Sequence, residues 1–518
     1  MVLQQRERIG AMKMTIQTTV MAFAAMFALC GPAQTHWSDT PVTCHWIGAE
    51  FAGRSGSYDY AEWTNSANWA EGIVPGRFER DGVVVGCEGC TAVFDRDCSY
   101  STVGLTGFYS VSNIVVSGSR VPKIRFGQDV SNPRLYFERY GGIFVASDVV
   151  TAPQIIPPFH YRRGAYNTTT TITFENNSST TLFISGFKGP DVAFTSSAGD
   201  ATLAMRGTGS ITCGGAHDRS KYTLRISLEM NGGKFVQAYG SFVDKIVADT
   251  TECQQYFEIP SGVTVTAPTS ISAPVLTRSD ILINGAGTYA VNANAESAAF
   301  AVASGNTLTI DCDITRATGK RFQIGNGTYN GGTVAFSPGR SFNVPIDFYN
   351  GILQLVDGET FGDAISIMDD HFSRKGTISG GREIAAKITG GVSGGTHALT
   401  LTNMVAIASD ITAATTLAAG SAISFCRASD SSVSFTITSL ALSDDTVVPV
   451  EDGVTATIAD INSNGHVLDI RPAGTGKVIF SGLAVGRAPD WLRLDGANAR
   501  IEVDHSLVGA KGFVISVH

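Results

Sequence analysis

The feature that most constrains the fold is a two-part motif that recurs along the chain. Its first half is a glycine followed by threonines at alternate positions, and its second half is a Gly-x-Gly 20 to 23 residues later. The first halves begin at Gly262, Gly305 and Gly453, and the second halves begin at Gly285, Gly325 and Gly474. This separation suits one coil of a β-solenoid, in which each strand pairs with its counterpart in the next coil. The alternation places threonine on the outer face and apolar residues on the core face.

Composition agrees with a large β core. The chain has 518 residues, of which 57 are glycine, and it is 43% hydrophobic but only 16% charged. That balance excludes a disordered chain. An array of immunoglobulin-like sandwiches would show a period of about 100 residues, and none is present. Helical periodicity is nearly absent, and the best helical segment, Ala295 to Ala303, has no capping residues.

The N-terminus predicts export. Basic residues precede an apolar run at residues 20–30, and small residues follow it, which makes residues 1–33 a signal peptide cleaved after Ala33. The run is too short for a membrane span of about 20 residues, and no second span follows. We therefore expect a secreted or cell-surface protein with no transmembrane span in the mature chain.

Charge limits the partners. The net charge of -9 argues against a nucleic-acid partner, because phosphate binding needs a basic face. No sequence pattern indicates a cofactor.

Residues 34–105 differ in composition from residues 106–518 and are predicted to form a small N-terminal cap on the solenoid. The cap holds four of the five tryptophans. Three of them, Trp46, Trp63 and Trp69, allow two interpretations: an aromatic platform for glycans, or the core of the cap. We favour the core, because a small domain needs its large apolar groups inside.

Eight cysteines remain after removal of the signal peptide. Their even number and the oxidising compartment favour disulfides over metal binding. The disulfide candidates are Cys44, Cys87, Cys90, Cys98, Cys213 and Cys253. The Cys-x-x-Cys at Cys87 alone could indicate zinc or a redox pair, but a zinc site usually needs a second close pair. The four cap cysteines allow three connectivities, and the sequence does not choose among them.

Residues of the cap carry a family resemblance. The cap pattern is Trp46-x-Gly48, Trp63, Asn68-Trp69, Gly72, Pro75 and Asp81-Gly82-Val83. It resembles the opening of large secreted bacterial proteins with autotransporter-associated β-strand repeats. Residues 305–310, 325–328, 351–355 and 474–480 are similar to the strand repeats of the same proteins. The resemblance implies an exported, passenger-like, right-handed parallel β-helix, and it implies no activity.

Parallel β-helices also host polysaccharide lyases and hydrolases, so acidic clusters were considered as catalytic candidates. Asp444-Asp445, then His466 and Arg471, partly resemble the Asp-Asp, Gly-His and Arg order of polygalacturonases. The preceding Asn-x-Asp element and the glycine after the histidine are missing. Aspartates are also favoured in turns by local backbone hydrogen bonds, so no catalytic residue is predicted.

A second acidic pair, Asp311 and Asp313, would share one strand face. Without a third ligand, a solvated face is the better interpretation, and no metal site is predicted. The sequence therefore predicts a non-enzymatic, structural or adhesive β-solenoid that contacts extracellular polysaccharide or cell-surface components. The alternative is a β-helix carbohydrate-active enzyme, either a lyase or a glycoside hydrolase.

Overall fold

The computed structural model describes most of the chain after the predicted signal peptide. The described ranges are 36–55, 58–80, 83–100, 102–105, 107–118, 123–126, 134–155, 159–161, 170–185, 187–188, 201–214, 224–238, 241–242, 245–248, 254–267, 275–291, 297–316, 321–327, 329–340, 344–367, 374–481, 489–494, 499–502 and 513–517. The signal peptide (1–33) and Cys253 lie outside these ranges. Within them, no helix is long and apolar enough to cross a membrane.

The chain divides into two compact units. The first comprises Met1–Gly164 with Ser178–Thr180, and the second comprises Ala165–Asn177 with Thr181–His518. The predicted cap boundary at residue 105 lies inside the first unit.

The first unit combines parallel coils with antiparallel hairpins. Its described elements are a 3₁₀ helix at Ser66–Asn68 and the strands β1 (Thr43–His45), β2 (Gly53–Ser55), β3 (Tyr58–Glu62), β4 (Arg77–Arg80), β5 (Val83–Gly86), β6 (Thr91–Phe94), β7 (Thr102–Leu105), β8 (Phe108–Val116), β9 (Lys123–Phe126), β10 (Arg134–Val145), β11 (Gln154–Ile155) and β12 (Phe159–Tyr161). One parallel ladder runs β1–β6–β8–β10, and another runs β3–β7–β9. The pairs β2–β3, β4–β5 and β4–β8 are antiparallel.

The described residues of the second unit form short strands joined by turns. Those described are β13 (Thr170–Asn176), β14 (Leu182–Ile184), β15 (Phe187–Lys188), β16 (Ala201–Gly207), β17 (Ile211–Cys213), β18 (Leu224–Met230), β19 (Phe235–Gln237), β20 (Ser241–Phe242), β21 (Lys245–Ala248), β22 (Gln255–Glu258), β23 (Thr264–Ala267), β24 (Val275–Thr277), β25 (Ile281–Val291), β26 (Ser297–Val302), β27 (Thr307–Arg316), β28 (Arg321–Ile324), β29 (Thr333–Phe336), β30 (Ile346–Phe348), β31 (Asn350–Gln354), β32 (Thr360–Phe361), β33 (Ile365–Ile367), β34 (Lys375–Ser379), β35 (Ala386–Ile388), β36 (Val392–Ser393), β37 (Ala398–Thr402), β38 (Met404–Ile407), β39 (Ile411–Leu417), β40 (Ala422–Phe425), β41 (Val433–Leu442), β42 (Thr446–Val450), β43 (Val454–Asn462), β44 (Leu468–Pro472), β45 (Lys477–Phe480), β46 (Leu492–Leu494), β47 (Ala499–Glu502) and β48 (Phe513–Val517).

Successive coils of the second unit stack through parallel ladders. One ladder runs through β22, β25, β27, β29, β31, β34, β37 and β39, and a separate one runs β32–β35–β38–β40–β42–β44–β46. Near the end of the chain, β48 pairs antiparallel with β45 and β47. The predicted all-β parallel solenoid is thus confirmed.

A continuous apolar row fills the interior of this solenoid. Its members occupy the same register position in successive coils, and none is more than 1% exposed. The row is Leu308, Val334, Leu353, Ile378, Leu401, Leu417 and Leu442. Burial of like side chains on one another supplies the main stabilising term of such a stack.

The predicted repeat is correct at two of its three positions. Thr288, which follows the Gly-x-Gly at Gly285, donates its N–H to the carbonyl of Val263 in the preceding coil. Thr475 likewise donates to the Asp452 carboxylate. Gly285 has a φ of +119°, and a Cβ there would lie 2.1 Å from the Ile259 carbonyl oxygen, so this position requires glycine.

The third pairing was wrong. Thr333, rather than the Gly325 segment, donates to the carbonyl of Asn306 beside the Gly305 turn. The coil is longer here than the motif spacing suggested. Register partners in consecutive coils of the ladder from β22 to β39 lie between 16 residues apart (Ala398 and Ala414) and 27 residues apart (Ile281 and Leu308), so one fixed period does not describe the solenoid.

The best helical segment is also not a helix. Residues 297–302 form β26, which pairs in parallel with β24 and β28. Phe300 and Val302 are buried in the core. Pairing on both sides outweighs the weak helix preference of the alanines, consistent with the missing caps.

We expect Leu401→Ala to lower the free energy of unfolding by about 2–5 kcal/mol, because it leaves a cavity in the apolar row. Guanidinium denaturation followed by circular dichroism measures this change. Val447→Ala is the control: its side chain is 41% exposed, so a change within about 0.5 kcal/mol is expected. Equal losses in the two variants would contradict the stacked core.

Candidate functional site

Many acidic side chains in the turns of the second unit serve a structural purpose. Each accepts a hydrogen bond from a backbone N–H of a neighbouring coil. The pairs, carboxylate first, are Asp280 and Thr307 (2.7 Å), Asp410 and Thr436 (2.7 Å), Glu451 and Arg427 (2.8 Å), Asp452 and Thr475 (2.6 Å), and Asp357 and Arg382. Three of the donors, Arg382, Arg427 and Thr475, lie outside the strands, and the other two lie in β27 and β41. In each case the carboxylate supplies a charge-assisted acceptor for a backbone N–H.

The Asp-Asp pair considered for catalysis belongs to the same class. The Asp444 carboxylate accepts from its neighbour's N–H at 2.8 Å and from the Gly420 N–H at 3.4 Å. Asp445 Oδ1 accepts from the Val467 N–H at 2.8 Å. Both carboxylates therefore hold turns between coils.

The fold does bring two of the predicted residues together. Because Thr446 pairs with Leu468 in the next coil, Asp445 and His466 become neighbours. His466 Nδ1 lies 3.7 Å from Asp445 Oδ1, which is an ion-pair distance but too long for a hydrogen bond.

A third carboxylate, Asp469, was missed by sequence reasoning. Its Oδ2 accepts from the Arg471 guanidinium at 2.8 Å, while its Oδ1 is buried without a hydrogen-bond partner among the described residues. Asp469 is opposite Val447 and shares the outer face with Asp445. Strand geometry puts the Cα atoms of the two aspartates about 8 Å apart. The Asp-x-Arg spacing on one face was the available signal.

Asp311 and Asp313 make separate contacts to neighbouring coils. Asp311 Oδ1 accepts from Arg340 Nε at 2.9 Å, and Asp313 lies opposite Thr288. Cys312 between them points inward, and burial raises the pKa of its thiol to about 12. In the ranges that the structure covers, no three His, Cys, Asp or Glu side chains are close enough to hold a metal ion.

The three cap tryptophans form one aromatic cluster. Trp69 packs edge-on against both Trp46 and Trp63 with ring centroids 5.0 Å apart, and Phe94 contacts all three. None of the three tryptophans is more than 1% exposed. Each indole N–H donates to a backbone carbonyl, as in Trp69 to Trp63 at 2.8 Å. These rings therefore have no free face on which a sugar could stack.

Two of the four cap cysteines are close to each other. The Sγ atoms of Cys87 and Cys90 are 3.5 Å apart, and Cys98 is half-buried. Burial, with smaller effects from Glu71 and Cys90, raises the pKa of the Cys44 thiol to about 12. Disulfide bonding of these residues stays a prediction, as does that of the buried Cys213 and of Cys253, which lies outside the described residues.

One outer face of the second unit carries hydroxyl groups in rows. On β27, β29, β31, β34 and β37, inward positions are buried, and two outward positions of each strand align in rows across all five strands. We call these ten positions the hydroxyl face: Thr307, Thr309, Thr333, Ala335, Ile352, Gln354, Thr377, Ser379, Thr400 and Thr402. Seven carry a hydroxyl and none is ionisable. Further outward positions lie beside these rows: Asp311 and Asp313 on β27, Asn350 on β31, Lys375 on β34 and Ala398 on β37. The Thr-x-Thr alternation was visible in the sequence, but the alignment between coils was not.

No model of a known protein family, no curated protein and no solved structure matches this chain. The parallel solenoid implied by the resemblance is present. Membership of the family with autotransporter-associated repeats stays a prediction.

Low pH should destabilise the turns that carboxylates hold between coils. Backbone and side-chain hydrogen bonds from Thr475 hold the pKa of Asp452 below its usual range. A lowered folded-state pKa contributes stability above the unfolded pKa of about 3.9, and this is lost as pH falls through the folded value. Because Asp452→Asn keeps an acceptor oxygen but cannot titrate, its urea midpoint should fall less than that of the wild type between about pH 4 and pH 2.

Asp460→Asn is the matched control. Asp460 is exposed, and its carboxylate makes no hydrogen bond within the described part of the chain. The urea midpoint of this variant should fall between about pH 4 and pH 2 by as much as that of the wild type. If Asp452→Asn and Asp460→Asn lose stability alike, the turn carboxylates do not hold the coils together.

Proposed function

We propose that this chain is an exported, non-enzymatic β-solenoid that acts as a structural or adhesive surface and binds extracellular polysaccharide or cell-surface components. The observation that carries the proposal is the hydroxyl face, which presents aligned, charge-free polar groups on a rigid sheet. Such a face offers many weak contacts to a repeating ligand and no group for chemistry.

The use of the acidic residues supports the same function. Asp444 and Asp445 accept backbone N–H groups of neighbouring coils, which leaves them fixed as turn acceptors. Export is supported by the basic, apolar and small-residue pattern of residues 1–33. An exported chain meets polysaccharide rather than nucleic acid, in keeping with its net charge.

Co-sedimentation tests this function. The full chain is incubated with insoluble polysaccharides, and protein in the pellet is measured together with reducing ends and unsaturated products in the supernatant. We expect the protein in the pellet and no new products, because binding without bond cleavage leaves the polymer intact. Protein that stays in the supernatant with every polysaccharide would overturn the adhesive function.

A β-helix carbohydrate-active enzyme is the second candidate. The observation that favours it is the shared outer face of Asp445 and Asp469, with His466 beside the first and Arg471 beside the second. Inverting glycosidases hold their two carboxyl groups about 6.5–9.5 Å apart, and Cα atoms about 8 Å apart on one face allow side chains to reach such a separation.

Polygalacturonate is the substrate that tests the enzyme, because Arg471 and His466 could face its carboxylates. If the chain cleaves this polymer and Asp445→Asn reduces the rate at least 100-fold, the enzyme replaces the adhesive protein. We expect no cleavage by the wild type. Asp460→Asn serves as the control for a surface aspartate outside the set.

A further inference from the structure

We propose that the hydroxyl face binds a neutral, linear polysaccharide that lies across the strands, along the direction in which the coils stack. This inference rests on the proposed adhesive function and names its ligand class and its surface. Three properties of the face carry it: charge, spacing and unused hydrogen-bonding capacity.

The charge of the face selects a neutral ligand. None of the ten positions is ionisable, and the cation next to them on β34 is Lys375. An acidic polymer would need a cation at each repeat to offset the desolvation of its carboxylates, and the ten positions supply none. Threonine hydroxyls both donate and accept, as sugar hydroxyls do. The threonine methyl groups, Ala335 and Ile352 supply apolar area for the C–H faces of sugar rings.

The spacing of the face selects a polymer. Neighbouring strands lie about 4.8 Å apart, so equivalent side chains on five strands extend over about 19 Å. That length accommodates several consecutive sugar units. Each hydrogen bond contributes little in net terms, so affinity must come from many contacts to one chain. Each strand of the face is hydrogen-bonded to a strand on either side, so its backbone is already ordered. The protein therefore loses little conformational entropy when the ligand binds.

The hydroxyls of the face are available for a ligand. Ser379 Oγ accepts from Asn403 Nδ2 at 2.8 Å. The side-chain hydroxyls of Thr377, Thr400 and Thr402 make no hydrogen bond to any described residue of the protein, although each is partly exposed. Water must satisfy them in the free protein, and sugar hydroxyls can replace that water with equivalent hydrogen bonds.

The test is a triple variant, Thr377→Val, Thr400→Val and Thr402→Val, which exchanges three hydroxyls for methyl groups of similar size. Valine suits strands, so the fold should persist, and circular dichroism checks this. Binding is measured with soluble hydroxyethylcellulose as the neutral probe and polygalacturonate as the acidic probe. We expect at least tenfold weaker binding to the neutral polymer and binding that is insensitive to salt.

Two controls separate the face from general effects. The first is the matched triple variant Thr436→Val, Thr438→Val and Thr455→Val on β41 and β43, outside the ten positions of the face, which should bind as the wild type does. The second is Lys375→Ala at the start of β34, beside the face. This variant should bind the neutral polymer as the wild type does, whereas an anionic ligand would bind to it more weakly.

The outcomes are distinct. If the wild type and both triple variants bind the neutral polymer equally, this inference fails while the adhesive function stands. If the wild type prefers polygalacturonate in a salt-sensitive manner, the neutral ligand class is wrong. If the wild type binds no polysaccharide, the proposed function fails and this inference falls with it. A short oligosaccharide that competes as well as the polymer would contradict binding along the rows.

Discussion

Hydrogen bonding between the backbones of successive coils is the interaction on which the rest of the structure depends. A strand of a few residues can satisfy its N–H and C=O groups only through the coils on either side of it. Parallel pairing then brings residues of equal position together, so that Leu401 lies between Ile378 and Leu417 inside. The same register aligns Thr377 with Thr400 outside. The regular outer face is therefore a consequence of how the core is stacked.

The turns between strands need a different solution, because the ladder stops there. Carboxylates supply it: Asp445 and Asp452 each accept a backbone N–H from the following coil, as a charge-assisted bond. Many of the acidic side chains in the turns of this chain therefore have a structural role. It also explains why adjacent aspartates such as Asp444 and Asp445 can occur together without forming a catalytic pair.

Local pattern was enough to predict the solenoid, its inward and outward alternation and the Gly-x-Gly beside Val263, since each depends on residues near one another in sequence. What failed depends on coil length. Gly305 was assigned the wrong partner because the loop before Thr333 is longer than the motif spacing, and sequence periodicity carries no information on irregular loops. Asp469 was missed for the same reason: it approaches Asp445 only through the register of two coils.

Register also brings Asp445 and Asp469 to one outer face, and this pair can be compared with the hydroxyl face as a site for a ligand. A glycosidase pair needs one carboxyl group to donate a proton while the other acts as base. Here both members accept hydrogen bonds, Asp445 from the Val467 N–H and Asp469 from the Arg471 guanidinium. The member acting as acid would have to be protonated, which weakens the hydrogen bond that its carboxylate accepts. For Asp445 that bond joins two coils, and for Asp469 it lies within β44. The hydroxyl face requires no such change, since its side chains meet a ligand in the positions that they already hold.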